Sequence, residues 1–194
     1  MNGTDISVFT SPEILTKALS IVDGRLRKSP GGHMTTGQVK RETVHTPADL
    51  AGVVQGLTTH QALGFGLCQY PFAIIAAQGR LDKIPPNSST PTIARTAQNF
   101  TFAKGQPGIL MLDVDPPKDG TPPLTRAQAL DLMASVWPGA ARAPVVICDS
   151  ASSHIWNGET GEELIGARGL RLYIFVADAA DIPRAGQVLF KKAN

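Results

Sequence analysis

The chain has 194 residues, which is enough for one domain with a sizeable core. Its apolar fraction of 42% and charged fraction of 18% are ordinary for a globular protein, so they exclude a disordered tail and a coiled coil. The net charge of +2 says little about partners, and the chain lacks the run of about 18 apolar residues that predicts a membrane helix.

The N-terminal part, residues 1–91, is predicted to combine helices with short strands. A serine followed by proline is a typical helix start, and a threonine with an acid three residues later can form a capping box. The predicted elements are a helix from Ser11 to about Val22, a loop over 25–38, a second helix over 46–57 with Thr46 and Asp49 at its start, and two strands in GFGLCQ and FAIIAA on either side of Tyr70-Pro71.

The C-terminal part, residues 92–194, alternates strands and helices. A loop rich in Pro, Ser and Thr over 84–108 leads into its first predicted strand, and loops of this length are usually functional or mobile. The predicted elements are a buried strand over 109–112, a helix over 124–137 with a Thr125/Gln128 capping box, a buried strand over 144–149, a hairpin tip over 150–168, the longest strand within 169–178, and a closing helix over 181–193 capped by Asp181.

This order predicts an α+β fold in which a mixed β-sheet is flanked by helices, with residues 1–194 forming a single domain. Neither G-x-G-x-x-G nor G-x-x-x-x-G-K-[ST] follows a predicted strand, which argues against a dinucleotide fold and a P-loop ATPase.

Basic residues cluster in the first half of the chain. Such clusters suit a phosphate backbone, although dispersed surface charge is the common alternative. They are Arg25, Arg27, Lys28, Lys40 and Arg41, followed by Arg80, Lys83, Arg95 and Lys104.

The two cysteines point to a cytosolic protein. Cys68 and Cys148 lie in apolar runs without metal-ligand spacing, so they are predicted to be reduced core residues. The start MNGTDISVF lacks the basic residues of a signal peptide, and we therefore expect a cytoplasmic location.

The stretch GILMLDVDPP, residues 108–117, carries the strongest chemical signal. Asp113 and Asp115 lie at the exit of the buried strand, and side chains two residues apart on a strand project to one side, about 7 Å apart. Two carboxylates held together suit a hard cation, so the pair predicts a Mg²⁺ or Mn²⁺ site. The alternative is a strand end with solvated, turn-forming aspartates.

A second polar tract follows the strand PVVICD. Ser150, Ser152 and Ser153 leave that strand, and Arg171 begins the next one after Gly166, Arg168 and Gly169. Serine hydroxyls, turn N–H groups and a guanidinium can hold the polyphosphate of a nucleotide whose other side meets a metal on the aspartates. His154 can serve the same purpose, but a lone surface histidine is more often incidental.

These residues together resemble the archaeo-eukaryotic primase (prim-pol) superfamily, in the version found at the N-terminus of phage and plasmid primase-helicase proteins. The resemblance covers most of residues 92–193, whereas residues 1–91 match only in general character. It is carried by TIARTAQNFTFAKGQPGILMLDVDPP, SASSHIWNGETGEELIGARGLRLYIFVADAADIP and GQVLFKKA.

The resemblance implies an RRM-like core and template-directed primer synthesis on single-stranded DNA from nucleoside triphosphates, beside a replicative helicase domain or protein. Asp113 and Asp115 would match the metal-binding aspartates of the family's first motif. Its second motif carries a histidine where this chain has Arg171, and Ser152-Ser153-His154 offers a second placement. Arg95, Lys104 and Arg168 would contact nucleic acid.

The chain departs from the family at the third motif, a further aspartate on a later strand. Only Asp178 and Asp181 follow Arg171, so the C-terminal part of the domain is expected to be missing. One alternative function is therefore an inactive primase domain that binds nucleic acid. Another is a metal-dependent phosphohydrolase with Asp113 as nucleophile, against which Pro116 argues.

Overall fold

A computed structural model of the chain describes residues 3–83, 89–117 and 119–193. Within these ranges the strands are β1 (Thr4–Thr10), β2 (Ala18–Val22), β3 (Arg25–Ser29), β4 (Thr36–Val44), β5 (Gln61–Gly64), β6 (Leu67–Cys68), β7 (Phe72–Ala76), β8 (Thr92–Ala94), β9 (Phe100–Thr101), β10 (Gly108–Val114), β11 (Val145–Asp149), β12 (Ile155–Trp156), β13 (Glu163–Ile165) and β14 (Leu170–Val176). The helices are α1 (Pro47–Gly56), α2 (Arg126–Val136) and α3 (Ile182–Ala193), with short 3₁₀ turns at Gln78–Lys83, Pro138–Arg142 and Ala179–Asp181.

The strands form two principal sheets. The first has the order β5-β1-β4-β7-β8 and is mixed, because β7 and β8 pair in parallel while the other neighbours are antiparallel. The second is antiparallel, with the order β10-β14-β11. Three small two-stranded sheets, β2-β3, β6-β9 and β12-β13, complete the described part. The predicted α+β class with a mixed sheet is confirmed.

One face of the second sheet packs on helices. Residues directly opposite each other on neighbouring strands share a face, so Leu112 and Leu172 lie together, as do Leu110 and Ile174. They form a buried cluster with Ala129 and Met133 of α2, and with Ile182 of α3. Burial of one such aliphatic side chain contributes about 1.5–3 kcal/mol, so this cluster holds α2 and α3 against the sheet.

The opposite face of the second sheet packs on the first half of the chain. Ile109, Val146 and Tyr173 from the second sheet meet Ile6 of β1 and Leu50 of α1 in one buried cluster. The two sheets are thus held together by an apolar core.

The capping boxes predicted for the second and third helical segments are confirmed. In α1 the Thr46 side chain accepts from Asp49 N, and the Asp49 carboxylate accepts from Thr46 N at 2.9 Å. In α2 the corresponding pair is Thr125 and Gln128. Asp181 directly precedes α3, but its carboxylate accepts hydrogen bonds from the Arg184 guanidinium at 2.6 and 2.7 Å.

The predicted first helix is wrong. Ser11 accepts from Glu13 N, as a cap would, but the N–H of Leu15 donates to Thr59 O at 2.8 Å instead of turning back along a helix. The residues from 18 to 22 form β2, which pairs with β3 inside the predicted loop 25–38.

The other strand and loop predictions differ in detail. The predicted strands GFGLCQ and FAIIAA correspond to β6 and β7, and the hairpin tip corresponds to β12-β13. The longest strand is β4, with nine residues, whereas β14 has seven. The predicted loop 84–108 contains β8 and β9, and its residues 84–88 lie outside the described part.

Both cysteines are free, as predicted; Cys68 is fully buried and Cys148 partly so. No helix in the described residues is long and apolar enough to cross a membrane.

Candidate active site at the edge of the three-stranded sheet

Asp113 and Arg171 lie side by side in the second sheet. The register of β10 and β14 sets them directly opposite each other, so both side chains project from the same face. Arg171 Nε donates to Asp113 Oδ1 at 2.9 Å. The side chains are 49% and 40% exposed, so this ion pair is accessible to a ligand from solvent. Two predicted site residues that are distant in sequence therefore meet.

The surroundings of Arg171 keep it charged. Partial burial opposes its charge, but the hydrogen bond and the negative charge of Asp113, together with Tyr173, outweigh that effect and raise its pKa above the ordinary value. Burial raises the pKa of Tyr173, although the nearby Arg171 partly offsets it. Arg171 is therefore a permanent cation between a carboxylate and a neutral phenol.

Asp115 completes the pair of aspartates. It follows the last residue of β10, is exposed, and forms no side-chain hydrogen bond or ion pair with any residue that the structure describes. The two aspartates thus differ, because Asp113 is paired with a cation and Asp115 is not. No group of three or more His, Cys, Asp or Glu that could hold a metal occurs among the described residues.

A divalent ion would have two carboxylate ligands here, and Mg²⁺ is commonly held by one or two carboxylates plus substrate phosphates. The oxygen donors therefore fit Mg²⁺ or Mn²⁺ only when a phosphate ligand joins them.

The serine turn is built into the same edge. Ser150 N donates to Gly169 O at 2.8 Å, and the Ser150 hydroxyl lies 3.2 Å from those of both Ser152 and Ser153. Ser153 is buried and its Oγ accepts from Arg168 N at 3.1 Å. The Ser153 hydroxyl is thus committed to joining the start of β14 to the end of β11, whereas the partly buried Ser152 remains closer to solvent.

His154 belongs to the hairpin rather than to the aspartate pair. It has a left-handed backbone, with φ of 53°, and its Nδ1 lies 3.0 Å from Glu163 Oε1 on β13. Arg168 is exposed in the segment that leads into β14. The hairpin β12-β13 that separates these two residues leaves the sheet at the same edge as the aspartates.

A third carboxylate does not reach this edge from β14. Asp178 and Asp181 follow the end of β14, which pairs with Gly108 at the start of β10. Asp178 accepts from Gly105 N there at 3.0 Å. Asp149 lies at the same edge of the sheet as Asp113, but its carboxylate is paired with Arg126 of α2.

Two of the three residues predicted to contact nucleic acid, Arg95 and Lys104, lie elsewhere. Arg95 follows β8, with its guanidinium 5.9 Å from the centre of the Phe9 ring. Lys104 precedes β10 and therefore lies at the strand end opposite Asp113. Two cavities, of about 380 Å³ between Thr4 and Phe175 and of about 210 Å³ beside Arg95, are also remote from the aspartates. The sheet edge that carries Asp113, Asp115 and Arg171 is therefore an open surface.

Sequence reasoning missed Tyr173 and the Arg126–Asp149 pair. Tyr173 is two residues after Arg171 on the same strand, so strand periodicity alone would have found it. The Arg126–Asp149 pair joins α2 to β11, and this depends on how the helix packs.

Comparison of the chain with protein-family models, with curated proteins and with solved structures gives no match.

Proposed function

We propose that the chain is a primase-like nucleotidyltransferase that makes primers on single-stranded DNA from nucleoside triphosphates. The observation that carries the proposal is the contact of Arg171 with Asp113 next to Asp115. A carboxylate that could hold a metal ion and a guanidinium that could hold phosphate lie side by side on one accessible sheet edge, which supports a site for a metal–triphosphate complex.

Each side chain has a distinct role in this proposal. Asp113 and Asp115 would hold Mg²⁺ or Mn²⁺, which supplies charge neutralisation on the phosphates and a lower pKa for the attacking hydroxyl. Arg171 uses Nε for Asp113 and also interacts with Tyr173, but a guanidinium has five N–H groups, so others would be left to bind phosphate oxygens. Ser152 would add a hydroxyl donor, while the buried Ser153 holds the turn in shape.

Primer synthesis on single-stranded DNA with labelled nucleotides and Mn²⁺ tests the proposal. Asp113→Asn should abolish product, because it removes one of two anionic ligands. Asp131→Asn, an exposed carboxylate on α2, is the matched control and should retain wild-type product. Equal product from the two variants would refute the role of Asp113.

A second candidate is a primase-like domain that binds nucleic acid without catalysis. It is favoured by the position of Asp178 and Asp181 at the far end of β14, since two-metal transfer normally needs more carboxylate than one pair. Under this alternative no variant makes product, and DNA binding is the same in wild type and in Asp113→Asn/Asp115→Asn.

A further inference from the structure

The β2-β3 hairpin is a regular two-stranded ribbon. Its turn residues, Asp23 and Gly24, both have positive φ, at 52° and 69°. Two such residues form the type I′ turn that matches the natural twist of a hairpin. The strands pair without a register shift from Ala18↔Ser29 to Val22↔Arg25. The ribbon therefore has a defined shape and two defined faces.

The base of the ribbon is anchored and the rest projects away. Leu15 N donates to Thr59 O at 2.8 Å, and Gly32 N donates to Ile14 O at 3.0 Å. Gly31 lies so close to the Leu15 carbonyl that a Cβ there would clash with it. Beyond this base, no described residue of β2 or β3 belongs to a buried core cluster. The ribbon is an exposed arm on a fixed support.

The two faces of the arm differ in chemistry. The register pairs Arg27 with Ser20 and Arg25 with Val22, so both arginines lie on one face. The other face carries Leu19, Ile21, Leu26 and a third cation, Lys28, which pairs with Leu19. Cations lie on both faces, so the arm suits an anionic partner.

The arm carries an excess of positive charge. Residues 17–29 contain four basic side chains and one acidic side chain, Asp23. The ion pairs formed among the described residues all lie elsewhere. Arg25 and Arg27 are exposed and, being two residues apart, lie about 7 Å apart along the strand. A nucleic-acid duplex presents comparably dense anionic charge, about one per 3.4 Å of axis on each strand.

We propose that the β2-β3 arm binds the phosphate backbone of duplex nucleic acid through Arg25 and Arg27. A two-stranded ribbon fits the major groove of a duplex, which is about 12 Å wide. The nature of the partner rests on the proposed function, because a primase-like enzyme must hold the template–primer duplex that it makes. The arm lies outside the aspartate edge, so it is a separate binding surface of the chain.

The test is the salt dependence of binding to a labelled duplex of about 20 base pairs and to its single strand, between roughly 50 and 200 mM salt. Arg25→Gln/Arg27→Gln should weaken duplex binding and lower the log–log salt slope by about 1.8, since each lost phosphate contact removes about 0.9. Arg142→Gln/Lys191→Gln removes two exposed charges elsewhere and should leave the slope unchanged. Arg25→Lys/Arg27→Lys keeps both positive charges and should retain the wild-type salt slope.

Four results would overturn the proposal: no duplex binding by wild type, an unchanged slope in the Arg25→Gln/Arg27→Gln variant, an equal fall in the Arg142→Gln/Lys191→Gln control, or a fall seen only with the single strand. The last of these would assign the arm to template instead. Binding of a Mn²⁺–nucleotide complex is measured in parallel. It should be unaffected by Arg25→Gln/Arg27→Gln and lost in Asp113→Asn, so failure of the arm and failure of the proposed active site are separable.

Discussion

The ion pair between Asp113 and Arg171 leads to a prediction with opposite signs for two ligands. In Arg171→Gln the Asp113 carboxylate loses its cationic partner, so it becomes a better ligand for a metal ion alone. The same change removes the cation proposed to hold the triphosphate. We therefore expect tighter binding of free Mn²⁺ and weaker binding of the metal–nucleotide complex.

The magnitudes follow from exposure. With side chains 49% and 40% exposed, the pair is worth about 0.2–1 kcal/mol, so its removal should strengthen Mn²⁺ binding by at most about fivefold. A hydrogen bond to a charged group is worth about 1.5–3 kcal/mol. Loss of the guanidinium should thus weaken nucleotide binding by about tenfold to a hundredfold.

Free Mn²⁺ is measured by paramagnetic resonance, and the nucleotide by anisotropy of a fluorescent analogue at saturating Mg²⁺. Arg184→Gln is the matched control, because it also breaks an exposed arginine–aspartate pair, with Asp181, but beyond the far end of β14. It should change neither constant. Unchanged nucleotide binding in Arg171→Gln would refute its role as a phosphate ligand. Weaker binding of both ligands would mean that Arg171 supports the metal site instead of competing with it.

Four further predictions concern the fold. Ile174 is fully buried, so Ile174→Ala should lower the free energy of unfolding, measured in urea, by about 2–5 kcal/mol. Leu132 is 46% exposed, so the control Leu132→Ala should change this free energy by less than about 0.5 kcal/mol. Thr125→Ala should cost about 1 kcal/mol in the same assay through loss of the α2 cap, with Thr125→Ser close to wild type. Backbone hydrogen bonds from His45 and Thr46 lower the pKa of Asp49 in the folded chain below its ordinary value of 3.8. The contribution of Asp49 to stability is therefore present above pH 3.8 and is lost as the pH falls through the pKa of the folded chain. Asp49→Asn should flatten this part of the curve of stability against pH. Gly24→Ala should speed amide exchange in β2 and β3 while global unfolding is unchanged, because an alanine at φ 69° is strained and the arm has no core contacts.

Elements with strong local signals could be predicted from sequence. The capping boxes of α1 and α2 and the apolar run of β10 need only neighbouring residues, and the structure contains all three. The failed helix after Ser11 shows where such signals compete. Asp23-Gly24 is itself a strong hairpin signal, and pairing of β2 with β3 overrode the serine–proline start.

The composition of the site depends on strand direction, which local patterns do not reveal. β10 and β11 run in the same direction and β14 runs against both, so the ends of β10 and β11 meet the start of β14 at one edge. Arg171 is 58 residues from Asp113 and contacts it at 2.9 Å. Lys104 is far nearer in sequence, yet it lies at the opposite end of β10, as does Asp178. Residues that directly follow β14 therefore lie at the end of the sheet away from Asp113. A further anionic ligand for the aspartate pair would have to come from Asp149, once released from Arg126, or from the phosphates of a bound nucleotide.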